Sequence, residues 1–367
     1  MIVPLAAPTR FAEGEREAVM AAVRDVIDSD RWILGPAVER FEAEFGAYLG
    51  FGDVVAVANG TDALTIAMCA LDLEPGSAVL VAANEGGYAA TACRQAGLVP
   101  VVMDIDERSM IPSVATAESA MREGVRAIVV THLHGEAGDI HQLDAWRRDH
   151  SLRLIEDCAQ ATGARLDGVH VGARGDAATF SFYPTKNLGA LGDAGAAVFV
   201  DATHAAKARA LREYGWGDRF RDDLARGRNS RMDSLQAAAL SARLPFLDSR
   251  NAARRAISGR YRASFDSSFA RIHGNAKTTV AHHSVAVTLH RERLAGHLAA
   301  HGVETVVHSP FMLAEMPGIA THAPANGAPV ATSLRDRTLS LPCFAELTEA
   351  EVAHVVEAIG EWNDLIA

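Results

Sequence analysis

Ser181-Phe182-Tyr183-Pro184-Thr185-Lys186-Asn187-Leu188-Gly189-Ala190-Leu191-Gly192-Asp193 is the stretch around which the rest of the chain is read. The apolar run Ala177 to Tyr183 reads as a short buried strand. Pro184 then turns the chain, and Lys186 follows at once. Upstream, Asp157 closes a second apolar run through Leu152, Leu154 and Ile155. Ligands of open α/β sheets bind beyond the carboxyl ends of the strands. A lysine and an aspartate that both follow strands are therefore placed to share a site.

The wider pattern supports such a sheet. Strand candidates are Val54–Ala58, Ala78–Ala83, Val99–Asp104, Ala127–His132, Leu152–Glu156, Ala177–Tyr183 and Gly195–Val200. Helical patterns near 61–72, 88–97, 113–122, 141–149 and 203–213 lie between most of them, and two more helices, over 13–28 and from Pro36 to Leu49, precede them. Near-continuous apolar strands with helical crossovers imply a mostly parallel seven-stranded sheet covered on both faces. A long helix is expected from Asp233 to about Arg262, with Pro245 kinking or breaking it. Beyond it the pattern changes to strands at Val280–Thr288 and Val303–Val307 and helices at Arg291–His301 and Thr348–Trp362. The expected division is a large unit over 1–245 and a smaller C-terminal α+β unit over 246–367.

With 367 residues, 49% of them hydrophobic and 22% charged, the chain is long enough for two cores. A net charge of −11 argues against non-specific binding to nucleic acid or membrane. No apolar run reaches the roughly 18 residues of a membrane span, and no signal peptide is visible at the N-terminus. Cys69, Cys93, Cys158 and Cys343 show no C-x-x-C spacing, which fits reduced thiols and a cytoplasmic location.

A lysine that forms an imine and a carboxylate that holds a pyridinium nitrogen are the two protein groups that pyridoxal phosphate most needs. Singly, Lys186 reads as a solvated surface charge and Asp157 as a cap or turn residue. Their co-occurrence favours the cofactor. Asn59-Gly60-Thr61-Asp62 joins a strand to a helix and reads as an ordinary cap or, beside Lys186 and Asp157, as a phosphate cradle of free amides. Tyr88, after Gly86 and Gly87, is either a ring that stacks on a flat heterocycle or a partly buried tyrosine on the core. The run Gly189, Gly192, Gly195 is not a dinucleotide fingerprint; it reads as a flexible segment that lets the chain turn closely. His132, His134 and His141 lack metal-ligand spacing, so no metal is expected. Arg250, Arg254, Arg255, Arg260 and Arg262 read as a solvated helix face rather than a diphosphate clamp.

Ordered stretches along the chain resemble the DegT/DnrJ/EryC1/StrS family of pyridoxal-phosphate-dependent nucleotide-sugar aminotransferases. They are Trp32-Ile33-Leu34-Gly35, Asn59 to Leu64, His132-Leu133-His134-Gly135, Glu156-Asp157-Cys158-Ala159-Gln160, Ser181 to Gly195, Arg228 to Ala238 and Leu339-Ser340-Leu341-Pro342. The resemblance implies an aspartate-aminotransferase-like α/β architecture (pyridoxal-phosphate fold type I) and a homodimer with active sites at the subunit interface. It makes Lys186 the imine lysine and Asp157 the partner of the ring nitrogen. Gln160 would lie near the ring's phenolic oxygen, Tyr88 would stack on the ring, and Ser181 would bond the phosphate with the amides of Gly60 and Thr61. Asn229 would reach the phosphate in the neighbouring subunit, and His308 would lie near the sugar. It further implies transfer of an amino group from L-glutamate, through pyridoxamine phosphate, to a nucleotide-linked keto-sugar. The form of the Lys186 segment resembles members acting on 3-keto sugars and so favours a dTDP-3-keto-6-deoxyhexose. A 4-keto-sugar aminotransferase, a dehydratase or lyase on the same fold, and a non-catalytic sensory protein are the alternatives. Three departures stand out: Ser309 replaces the family's usual tyrosine, Ala194 replaces a glycine, and Asn84-Glu85-Gly86-Gly87 is an uncommon form of its loop.

Overall fold

The computed structural model describes residues 1–138, 140–275, 278–319 and 327–367. Seven strands form the central sheet: β1 (Asp53–Val57), β2 (Ala78–Ala82), β3 (Val99–Met103), β4 (Val125–Thr131), β5 (Arg153–Asp157), β6 (Ala177–Ser181) and β7 (Gly195–Phe199). All seven fall on the expected runs. Their spatial order is β1-β7-β6-β5-β4-β2-β3. Neighbours from β6 through β3 pair in parallel, whereas β7 runs antiparallel to both β6 and β1. The sheet strands are almost wholly buried because helices cover both faces.

Helices α1 (Glu15–Ile27) and α2 (Pro36–Leu49) lead in; α3 (Gly60–Ala70), α4 (Tyr88–Gln95), α5 (Val114–Ala120), α6 (Ile140–Asp149) and α7 (Ala202–Leu211) lie between the strands. Phe41 and Phe45 of α2 meet Phe182 and Phe180 edge-on, with centroids 5.4 and 5.1 Å apart. Each such pair adds about 0.5–1.5 kcal/mol beyond its buried area and fixes how the helix lies on β6. Proline breaks the expected long helix where the sequence places it. Helix α8 (Ser234–Arg243) gives way to a 3₁₀ turn at Leu244–Phe246, then α9 (Leu247–Ser264) resumes.

A second core lies around α9, with α10 (Arg291–Ala300) and α12 (Glu349–Ile366) packed beside a three-stranded antiparallel sheet of β8 (Ala270–Ile272), β9 (Ser284–Thr288) and β10 (Thr338–Leu341). Helix α11 (Pro329–Arg335), which periodicity does not reveal, precedes β10. The N-terminus joins this core: Val3 is fully buried in it and bridges Val303, and Arg10 is paired with Glu351 at 2.8 Å.

Two expectations are corrected. Val303–Val307 forms only single bridges, Val303 to Val3 and Val306 to Ser340, rather than a strand. The strand expected over Val280–Thr288 starts only at Ser284. Before that, the Val280 and His282 amides donate to the carbonyls of Gly135 and His134, at 2.9 and 3.1 Å. The segment is thus captured by the turn after β4 and leaves the strand path. Ala281, with φ of 48°, makes the bend.

Candidate active site

The carboxyl ends of β4, β5 and β6 open into a cavity of about 450 Å³, a size suited to a cofactor with part of a substrate. Lys186, Asp157, Gly60, Thr61, Tyr88, Gln160, Ser181 and His308 all line it. Asn229, the remaining expected site residue, lies outside its own chain's cavity, exposed and bonded to Arg231 at 2.9 Å.

Strand alternation assigns the acidic pair Glu156-Asp157 to opposite sides of β5. Glu156 faces away from the cavity, takes the amides of Gly172, Arg174 and Gly175 at 2.8–2.9 Å, and pairs with His132 at 2.8 Å. Asp157 faces the cavity, next to Thr131 in the β4–β5 register. It accepts from the Ala159 amide at 3.1 Å and the Thr131 hydroxyl at 3.3 Å. Burial holds its pKa above the ordinary aspartate value despite those donors and Lys186. A buried carboxylate short of cationic charge is suited to a pyridinium N–H.

Lys186 caps a tight turn, its amide donating to the Tyr183 carbonyl at 2.8 Å. Burial pushes its ammonium down to about 8, while Asp157 pulls the other way. An amine near neutrality is the form that attacks a carbonyl.

Opposite Lys186, α3 begins at Asn59, whose side chain accepts from the Asp62 amide at 2.8 Å. The amides of Gly60 and Thr61, in the first turn, remain for an anion. A Cβ on Gly60 would lie 2.7 Å from the Ser181 Cβ, so only glycine lets the helix start sit against that hydroxyl. Likewise, a Cβ on Gly195 would lie 2.4 Å from the Asn59 carbonyl carbon. The glycine run therefore serves close approach rather than flexibility: none of Gly189, Gly192 and Gly195 has positive φ. A buried acid, a near-neutral lysine and a phosphate-sized cradle of amides and hydroxyl together fit pyridoxal phosphate.

One wall of the cavity is a cluster of imidazoles, only one of which stands out from sequence. Gln160 accepts the His134 amide at 2.7 Å, so its amino group faces His308 Nε2 at 3.0 Å. The His308 ring packs tilted against His283, centroids 4.4 Å apart, and His283 against His282 at 4.3 Å. Burial, with Lys186 nearby, takes His308 down to about 4. His282 and His283 also line the cavity. Paired histidines in an apolar run were the available signal for them. Glu85, buried and taking the amides of Ala89 and Ala90 at 2.9 and 3.1 Å, was missed too; burial raises it to about 7.

Other sequence readings resolve as follows. His132 and His141 are bonded to Glu156 and Asp167, and neither belongs to a metal-ligating group among the described residues. The described group with that geometry is His297, His301 and Glu361, in the second core's helices. Arg250 and Arg254 are not solvated: Arg250 pairs with buried Glu15 at 2.6 Å, and Arg254 donates to the carbonyls of His282 and Cys343. All four cysteines are buried and free. Among the described residues no helix is long and apolar enough to cross a membrane.

A mostly parallel α/β sheet with Lys186 and Asp157 on one cavity beyond its strand ends fits the class of pyridoxal-phosphate-dependent enzymes. The comparison with known proteins names the branch. The profile of the DegT/DnrJ/EryC1/StrS aminotransferase family matches residues 13–360, and the chain belongs to that family. It is 36% identical to a dTDP-3-amino-3,4,6-trideoxy-alpha-D-glucose transaminase of Streptomyces venezuelae, covering 94% of this chain and 92% of that one. It is 35% identical to a UDP-N-acetyl-3-dehydro-alpha-D-glucosamine 3-aminotransferase of Acidithiobacillus ferrooxidans, covering 94% and 93%. The crystal structure of Streptomyces venezuelae DesV in complex with a ketimine intermediate superposes with a TM-score of 0.93 at 35% identity, covering 99% of both chains.

Proposed function

We propose that this chain transfers an amino group from L-glutamate to carbon 3 of a nucleotide-linked keto-sugar, with dTDP-3-keto-6-deoxyhexoses as the preferred class. The observation that carries the reading is the convergence of Lys186, Asp157 and the Gly60–Thr61–Ser181 cradle on one cavity. The two relatives named above, both of which carry an amino group at carbon 3 in their names, support the position. When bound, pyridoxal phosphate supplies a carbonyl that condenses with amines and a ring that accepts the electrons of a broken C–H bond. Lys186 Nζ moves the proton between the amine-bearing carbon and the cofactor. Asp157 would hold the proton on the ring nitrogen. The Gly60 and Thr61 amides and Ser181 Oγ bind the phosphate, and Tyr88 covers the ring.

Two of the three departures touch, and we place them at the sugar end. The Ser309 hydroxyl donates to the Asn84 carbonyl at 3.0 Å, and the Leu313 amide to Ala83 at 3.1 Å. The exposed Asn229 supports a homodimer in which it reaches the partner's cofactor phosphate. Exposed Tyr88 and Tyr183 at the cavity support the same interface. The core that gathers around α9, beyond the break at Pro245, supports a division at 245/246.

The test is the absorption spectrum of the purified protein with pyridoxal phosphate. A yellow band that bleaches with L-glutamate and returns with 2-oxoglutarate is expected; no band overturns the reading. Assaying dTDP-3-keto and dTDP-4-keto sugars side by side tests the position, and turnover of the 4-keto compound alone excludes carbon 3.

A further inference from the structure

One buried positive charge close to Lys186 has no counterpart. Arg243, Arg250 and Arg254 are 3%, 8% and 4% exposed. Two carboxylates stand among them: Glu15 takes Arg243 at 2.7 Å and Arg250 at 2.6 Å, and Glu346 takes Arg250 at 3.1 Å. Arg10, the next guanidinium outward, is matched by Glu351. Among the described residues Arg254 forms no ion pair. Its Nη1 donates to the carbonyls of His282 and Cys343, its Nε has no partner, and its Nη2 makes no hydrogen bond. Three guanidiniums therefore share two carboxylates. A guanidinium cannot escape burial by losing its proton, and an uncompensated buried charge is strongly destabilising. The Cys343 thiol beside Arg254 does not supply the missing charge, because burial pushes it up to about 11.

The unmatched guanidinium lies on an opening. A cleft of about 30 Å³ separates the N-terminal segment Leu5–Pro8 from the turn at Pro184–Lys186, and Arg254, Arg250, Lys186, His282, His283 and Glu346 line it. Glu346 is its one carboxylate, and Arg250 already holds that group. Burial first, and then the neighbouring cations, keep His282 and His283 neutral. Lys186, at about 8, is mostly ammonium at neutral pH. The cleft is therefore a place of net positive charge. A single water needs roughly 10–15 Å³ of such space. The cleft takes a particle one or two waters in size and excludes a phosphate or a sugar diphosphate.

We propose that this cleft binds a small monovalent anion of halide size, held by Arg254 with Arg250 and Lys186 beside it. Chloride meets the demands of charge and size. A water would fill the same space and leave the guanidinium unanswered. An anion here also favours the ammonium form of Lys186 over the amine. Halide should then slow imine formation near neutral pH. That consequence rests on Lys186 being the imine lysine; the anion site does not.

Bromide, which scatters anomalously, is the probe. Crystals of the full chain grown without halide and soaked in sodium bromide should show an anomalous peak in the cleft, in contact with Arg254. Water alone in the cleft overturns the proposal without any variant having to fold. In solution, chloride replacing gluconate, which is too large for the cleft, should raise the unfolding midpoint at constant ionic strength. The rise should saturate, reaching about 2 °C at about tenfold the Kd. A bromide peak with no saturable rise would mark an adventitious ion only and overturn the proposal. Arg254→Gln should make the midpoint indifferent to chloride; a rise of unchanged size there would also overturn it. In the unaltered protein, the pH at which Lys186 is half-maximally amidinated should rise by about half a unit in saturating chloride. An unmoved Lys186 overturns the placement beside it. The colour test above fails independently: a protein that binds bromide in the cleft and never turns yellow would remove the aminotransferase reading and leave the anion site standing.

Discussion

The floor and the wall of the cavity are built by different means. The floor is made of strand ends: Thr131, Asp157 and Ser181 are the last residues of β4, β5 and β6, and the sheet's own ladder fixes their spacing. The wall is made of side chains held by other side chains, with His308 on Gln160 and His282 on Asn187. A floor of this kind is as stiff as the sheet. A wall of this kind changes with a single amide. The residues proposed for the chemistry sit on the floor, whereas Ser309, bonded to the Asn84 carbonyl, lies on the other side.

This contrast predicts a ranking. Lys186→Ala should abolish turnover, a loss of at least about 10⁴-fold, with the unfolding midpoint unchanged. Substantial residual rate would take the lysine out of the chemistry and break the comparison at its base. Asp157→Asn should lower kcat by about 10²–10³-fold while the secondary structure is kept, checked by stopped-flow kinetics beside circular dichroism. Gly195→Ala should cost about 1–3 kcal/mol in denaturant unfolding and weaken phosphate-bearing ligands, since the new methyl meets backbone that cannot withdraw. The rate at which cofactor-free protein takes up pyridoxal phosphate should rise with pH and level off above about 8, because only the deprotonated Lys186 amine attacks. A flat profile from pH 6 to 9 would contradict the shift. Smallest is the wall: Ser309→Tyr should move KM for the sugar by about 3–10-fold and leave the glutamate half-reaction untouched.

The sequence made the floor legible because each of its residues ends a continuous apolar run, a pattern local to five or six positions. Lys186 and Asp157 stood out by following such runs, whereas Ser181 was named only through the family resemblance. The wall was not legible because its cause is non-local. His282 and His283 were read as part of a strand, and only the capture of residues 280–282 by the turn at 134–135 turns them toward the cavity. Arg250 and Arg254 of α9 were misread for the same reason. A charged helix face looks solvated until the partners, Glu15 and the His282 carbonyl, arrive from far along the chain. The glycine run does let the chain turn closely, as read, but through the absence of a Cβ rather than through freedom of φ, which the sequence does not distinguish.

The buried Val3 and the Arg10–Glu351 pair have a consequence for how the molecule is made. Val3 and Arg10 are translated long before Val303 and Glu351, the partners they meet in the fold. Through most of translation an apolar N-terminal segment waits unpaired while the sheet assembles beside it. Contacts of such long sequence separation form slowly and expose sticky surface meanwhile. The core around α9 therefore joins segments about 300 residues apart, and without α12 Arg10 would lack Glu351 as its partner.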